Sequence, residues 1–305
     1  MKDSFLKKFI IGGAQLGMRY GDKRNKLYES KSEQKKVLIL AKKFGINKID
    51  TAQKYGSSET NIGVNKNHFG KKLFIISKFD LEKFDKEKIS LYFFIKNNLK
   101  KTLKNLDTKK IDILMIHRFR DLKIYKSELI AALNELKKNK LINEVGISVY
   151  SPSELKYSCR FKSIKNIQIP FNILDNRWLK PSLFRYLNKK KVKIYVRSIF
   201  LRGLLLNTNV PLEFKKISKK IDLMFQKYII EFNRASKIDL CLAYVKSFKW
   251  IDYFVIGFIN HKQFKEILLN YKNPKLNKNE VNLINNEMKR ITKKRKILMP
   301  NLWKN

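Results

Sequence analysis

The chain has 305 residues, 44% of them hydrophobic, enough to bury a large core. Its two cysteines, Cys159 and Cys241, exclude a disulfide framework or a cysteine metal site, and no stretch approaches the ~18 consecutive apolar residues of a membrane span. The formal charge of +42 comes mostly from lysines scattered over every predicted helix without interleaved aromatics, which reads as a solvated surface rather than a nucleic-acid footprint.

Taken in order, the chain opens with a predicted strand, Phe9–Ala14. Gly12, Gly13 and Gln15 break this apolar run, so no secretory signal is expected. The cysteine usage then fits a reducing, cytoplasmic setting. Ser32–Phe44 has helical periodicity with a serine cap at its start. The stretch 44–63, FGINKIDTAQKYGSSETNIG, organises the rest. Its short strand Lys48–Asp50 ends by delivering Asp50, and the polar loop after it carries Tyr55. Gly56 gives that loop freedom, and Ser57 or Ser58 can cap the next helix. The strand Leu73–Lys78 ends in Lys78, and Ile111–His117 ends in His117. Between them, Lys88–Leu106 sets Leu91, Ile95, Leu99 and Leu103 at helical spacing. A helix over Ser127–Lys140 and a strand over Glu144–Ser148 follow. Ser151-Pro152-Ser153-Glu154 reads as a capping box with proline at the first helical position. The last strands are Asn166–Ile169, Lys193–Ser198 and Phe254–Gly257, with helices at Ser182–Lys190, Lys219–Ser236, Leu240–Lys249 and His261–Asn270. The irregular stretch 201–215 reads as a loop over a ligand, and 273–305 as a basic C-terminal helix and tail on the outside.

Eight strands, each followed by a helix, predict a single (β/α)8 TIM-barrel domain over residues 1–305, with no glycine- or proline-rich linker to divide it. The C-terminal strand ends form the active face of such barrels, so Asp50, Tyr55, Lys78 and His117 are expected in one mouth. A tyrosine is a poor acid near neutrality unless a cation favours its anion. Lys78 supplies a cation, Asp50 can hold it, and His117 can hydrogen-bond a substrate oxygen. That set suits protonation of a carbonyl as a hydride arrives at its carbon. His68 and His261 have no metal spacing around them, and no metal is expected. Tyr92-x-x-x-Lys96 has the spacing of a short-chain dehydrogenase pair, but no strand–GxGxxG–helix phosphate loop precedes it, so it reads as chance.

The segment 45–63, with its pattern G-I-N-x-I-D-T-A-x-x-Y-G-x-S-E, resembles the aldo-keto reductase superfamily. So do Ile76-Ser77-Lys78, Met115-Ile116-His117, Gly146-Ile147-Ser148, 168–172 (QIPFN) and 197–205 (RSIFLRGLL). The resemblance implies an NAD(P)H-dependent oxidoreductase that reduces an aldehyde or ketone, or oxidises the alcohol. Tyr55 matches the general acid/base, assisted by Asp50, Lys78 and His117. Ser148 and Gln168 match positions that hold the nicotinamide carboxamide. Ser198, Phe200 and Gly203 match the loop around the pyrophosphate, and Glu266 a carboxylate near the adenosine end. NADPH is the expected cofactor and NADH the alternative, because Gly257 and Gln263 stand where many members carry the cations for the 2′-phosphate, and Ile267 replaces an asparagine. Asn260, His261 or Lys262 could compensate. Val149 departs from a frequent asparagine, and Arg197 from an aromatic that often stacks on the nicotinamide. The expected partner is a small carbonyl or alcohol, with a sugar-related compound suggested by the L-G-M-x-Y-G start. Arg19, Tyr20, Phe119 and Arg120 are candidate pocket residues. The rival reading is a non-catalytic, cofactor-binding regulatory or scaffold protein on the same barrel.

Overall fold

The computed structural model of the protein describes residues 4–18, 31–69, 72–206, 212–291 and 295–298. Eight parallel strands form a closed barrel in chain order: β1 (Phe9–Gly12), β2 (Lys48–Asp50), β3 (Phe74–Phe79), β4 (Ile111–Ile116), β5 (Ile142–Ser148), β6 (Ile164–Pro170), β7 (Lys193–Arg197) and β8 (Tyr253–Ile256). β1 pairs with β2 through Ile11 and Ile49, and with β8 through Ile11 and Ile256, which closes the ring. The strands are rich in isoleucine and valine because both faces are covered, one by the outer helices and one by the barrel's own filling. Alternation then sorts the side chains. Ile10, Ile76, Ile113, Met115, Tyr195 and Val255 form a separate cluster inside the ring. Their neighbours Ile11, Leu114, Val196 and Ile256 join the larger core beneath the helices. Two residues after Ile76, on the same side, comes Lys78.

Ten α-helices run through the described residues: α1 (Lys31–Lys43), α2 (Ser58–Asn65), α3 (Leu91–Asn105), α4 (Phe119–Lys138), α5 (Pro152–Ser158), α6 (Pro181–Lys190), α7 (Lys215–Glu231), α8 (Lys237–Lys246), α9 (His261–Tyr271) and α10 (Lys278–Ile291). Only half of the expected capping box at Ser151 forms: its hydroxyl accepts from Glu154 N, while the Glu154 carboxylate accepts from Tyr150 N rather than from Ser151 N. Several boundaries differ from the sequence expectation. Ser32 lies inside α1 rather than capping it. α3 starts at Leu91 because Ser90, not Lys88, supplies the cap. α4 starts at Phe119, and a left-handed residue, Lys126 (φ 40°), separates this added piece from the helix expected from Ser127. α7 begins and ends about a turn earlier than expected, and Ser236 caps α8 rather than closing α7. Lys215, Lys216, Lys219 and Lys220 are exposed, and the C-terminal helix is α10. Arg19, Tyr20, residues 207–211, and 299–305 lie outside the described residues. Among the described residues no helix is long and apolar enough to cross a membrane.

Candidate active site

Asp50 ends β2 and Lys78 lies near the end of β3, both pointing into the mouth of the barrel. Lys78 is 1% exposed; its Nζ sits 2.5 Å from Asp50 Oδ2 and donates to Thr51 O at 3.1 Å. Burial pulls the Lys78 ammonium below its ordinary pKa, and the Asp50 carboxylate beside it opposes that shift. On the other side of Asp50, Gln168 of β6 donates from Nε2 to Oδ1 at 2.8 Å. The carboxylate thus binds a cation with one oxygen and orients an amide with the other.

Tyr55 is brought in by the loop between β2 and α2. The loop runs beside β3, with Thr51 N bonded to Ile76 O and Gln53 N to Lys78 O. It then turns back through Gly56, whose φ of +56° favours glycine. A Cβ on Gly56 would lie 2.2 Å from Gly17 O, so the loop rests backbone to backbone on the segment after β1. Ser57 occupies the cap position of α2 without a side-chain cap bond, and Ser58 donates instead to Gly13 O at 2.7 Å. Both serines therefore tie the loop to the β1 side. The result sets the Tyr55 ring 5.0 Å from Lys78 Nζ and edge-on to the His117 imidazole, with centroids 5.8 Å apart. His117 follows β4, with its N–H bonded to Phe79 O. Burial, with the charges of Lys78 and Arg197 adding to it, pushes the His117 pKa down to about 3, so the ring is neutral at ordinary pH. The four predicted residues therefore meet in one mouth.

From Asp50 and Tyr55 a solvent-open cleft runs between the segment after β7 and the segment after β8, with Gly12, Ala14 and Gln15 on its β1 side. Its walls include the expected Ser198, Phe200, Gly203, Gly257 and Gln263. Ser198, Leu201 and Arg202, side-chain-bearing residues of the segment after β7, have positive φ, which concentrates backbone strain in that segment. Ser148 and Gln168 are buried at the ends of β5 and β6. Gln263 turns its carboxamide back to accept from Ile259 N, while Asn260 caps α9 by accepting from Gln263 N. His261 contacts Glu33 of α1 at 2.6 Å. Among the described residues the lining stops at Gln263 and does not include Glu266, which is exposed one turn further along α9.

The sequence reading missed Gln15 and Arg202, which also line the cleft, and it mentioned Arg197 only as a departure. Gln15 leaves no pattern signal; it matters because Gly257 has no Cβ, which would otherwise meet Gln15 Nε2 at 2.8 Å. Also missed was a buried support behind β3. Glu59 of α2 accepts from Ser77 and from Thr102 of α3, and Thr102 in turn accepts from Gln53 of the Tyr55 loop. Burial raises the Glu59 pKa. Tyr92 and Lys96 lie on α3, where Tyr92 accepts from Asn139, outside the mouth.

The residues present fit a nicotinamide dinucleotide. Gln168 Oε1 is fully buried at the mouth with no hydrogen-bond partner, an acceptor suited to a primary amide N–H. Glycines at both flanks and two guanidinium groups, Arg197 and Arg202, suit a long anionic ligand in the cleft. Among the described residues no group of acidic, histidine or cysteine side chains is arranged for a metal.

The fold and sequence agree with known proteins. The aldo-keto reductase AKR11C1 of Bacillus halodurans in its holo form superposes with a TM-score of 0.74 at 21% identity, over 92% of this chain and 91% of that one. The glycerol dehydrogenase AKR11B4 of Gluconobacter oxydans superposes with a TM-score of 0.73 at 20% identity, over 94% and 93%. No curated protein is close enough in sequence to match. The sequence profile of the Aldo/keto reductase family matches residues 8–288, nearly the whole chain, and the protein belongs to that family of nicotinamide-dependent oxidoreductases.

Proposed function

We propose that the protein reduces a small aldehyde or ketone with NADPH, and that Tyr55 is its general acid. The observation that carries this reading is the buried Asp50–Lys78 pair with Lys78 Nζ 5.0 Å from the Tyr55 ring centroid and neutral His117 edge-on to that ring. The dinucleotide, when bound, supplies the hydride. Tyr55 delivers the proton to the carbonyl oxygen, and the Lys78 ammonium favours the phenolate that this leaves behind. Asp50 opposes the loss of that charge on burial. His117, neutral and carrying one N–H, hydrogen-bonds the carbonyl oxygen without competing for the proton. Ser148 and the open acceptor of Gln168 would hold the carboxamide, and Ser198, Phe200 and Gly203 would embrace the pyrophosphate. Glu266, outside the cleft wall, would reach the adenosine end from the exposed side of α9.

NADPH is favoured over NADH because Lys262, exposed in the first turn of α9, can offer the 2′-phosphate the charge that neither Gly257 nor Gln263 supplies. Glycerol dehydrogenase among the similar structures makes polyols and their oxidation products the first substrates to assay. Titrating the purified protein with NADPH and separately with NADH, following nucleotide fluorescence, tests the cofactor assignment. NADPH should bind at least tenfold tighter, about 1.4 kcal/mol. Binding of neither would turn the reading toward a non-catalytic barrel.

A further inference from the structure

The three segments that deliver Tyr55, Lys78 and His117 each carry a second charged residue close by. Lys54 precedes Tyr55, Asp80 lies two residues after Lys78, and Arg118 follows His117. The Asp80 carboxylate, 8% exposed, stands between the two cations, with Oδ2 3.2 Å from Lys54 Nζ and Oδ1 3.5 Å from Arg118 Nη2. Glu82, on the same segment, pairs with the same two side chains from the exposed side. Asp121, in the first turn of α4, closes the set. Its Oδ2 accepts from Leu81 N at 3.0 Å and lies 3.8 Å from Arg118 Nε. The Asp80 charge also reaches His117, where it opposes the downward shift of the imidazole pKa.

A lone exposed ion pair holds a segment weakly, whereas a network built around a nearly buried carboxylate holds it firmly. Lys54 and Arg118 adjoin, in sequence, the two rings that must address one carbonyl oxygen. The carboxylate that binds both cations therefore sets how far apart those rings stand. We propose that Asp80 is a positioning residue, bracing the Tyr55 loop against the end of β4 so that Tyr55 and His117 keep their register. This rests on the reading of Tyr55 as the general acid. Asp80 acts only through Lys54 and Arg118, and a displacement of about 1 Å in such a pair of groups is enough to cost much of the rate.

The test compares the wild type with Asp80→Asn, Arg118→Met and the double variant. It uses two-dimensional NMR, NADPH titration, and steady-state kinetics with a panel of small aldehydes and ketones. The Tyr55 and His117 rings stand edge-on with centroids 5.8 Å apart, close enough for a nuclear Overhauser contact between their protons. Asp80→Asn should weaken that contact and lower kcat about tenfold, with NADPH affinity held within about twofold. Arg118→Met should act alike, and the double variant should fall no further, since both changes release one brace. Lys54→Met breaks the brace from its other side if Asp80→Asn does not fold. An unchanged ring contact overturns the proposal, and so, in an active enzyme, does an unchanged kcat or losses that add in the double variant. Equal falls in kcat and NADPH affinity overturn it too, as the mark of a general loss of structure. A wild type without turnover contradicts the Tyr55 reading, and the ring contact then decides the brace by itself.

Discussion

At the scale of single residues the site separates its charges by burial. Burial lowers the Lys78 pKa while Asp50 opposes that shift, and His117 stays neutral because burial and the charges of Lys78 and Arg197 act against its protonation. The protein has only three histidines, so His117 can be followed by imidazole NMR from pH 8 downward. Its resonance should hold the neutral position through pH 5, and a midpoint near 6.5 would contradict the account. The sign for stability follows from the same shift. The unfolded chain protonates His117 from about pH 6.5, while the folded one resists to about 3. The contribution of neutral His117 is therefore lost as pH falls through that window, and His117→Gln should flatten the acid side of the stability profile. That Asp50, Lys78 and His117 stand within a residue of strand ends was legible in the sequence, because apolar runs stop there, although β3 runs on to Phe79 and β4 stops at Ile116. The opposed charges were not, since burial and the neighbourhood of Arg197 arise only when distant strands meet.

At the scale of elements, the β2–α2 loop decides where Tyr55 points. Gly56 and Gly45 both have positive φ, but a Cβ at Gly56 would strike Gly17 O, whereas a Cβ at Gly45 meets nothing within 4 Å. Gly56→Ala should cost about 1–3 kcal/mol from backbone strain and displace Tyr55, lowering kcat at least tenfold. Gly45→Ala, beyond the end of α1, should cost stability and spare kcat. Urea midpoints and steady-state kinetics check both, and equal kcat in the two variants would contradict the role given to the loop. The strands and most helices could be read from apolar runs and 3.6-residue spacing. The ends of α4 and α7 could not. The sequence marks Ser127 as a start, yet the chain enters a helix directly after His117 and crosses the break at Lys126 by tertiary packing of Leu122 and Leu129, both buried. Propensity yields to such packing at element ends.

At the scale of the whole molecule, 68 basic against 26 acidic residues leave self-repulsion that surface ion pairs cannot cancel. Raising sodium chloride from ~0.1 M to ~1 M shortens the screening length from about 10 Å to about 3 Å. The Tm should rise by several degrees over that range, because folding concentrates the charge. A flat or falling Tm would show that the lysines are already compensated. The buried Asp50–Lys78 pair is shielded from this effect, so NADPH turnover should change far less than NADPH binding in the solvent-open cleft.

The central claim is that Tyr55 protonates a carbonyl at a site that binds nicotinamide dinucleotide independently of it. The direct measurement is loss of NADPH absorbance with a panel of small aldehydes, ketones and polyol-derived carbonyls, run on the wild type and on Tyr55→Phe beside NADPH titrations of both. The account predicts equal NADPH affinity within a few fold, turnover by the wild type, and a loss of at least about 100-fold in kcat for the variant. Full turnover by Tyr55→Phe would contradict it.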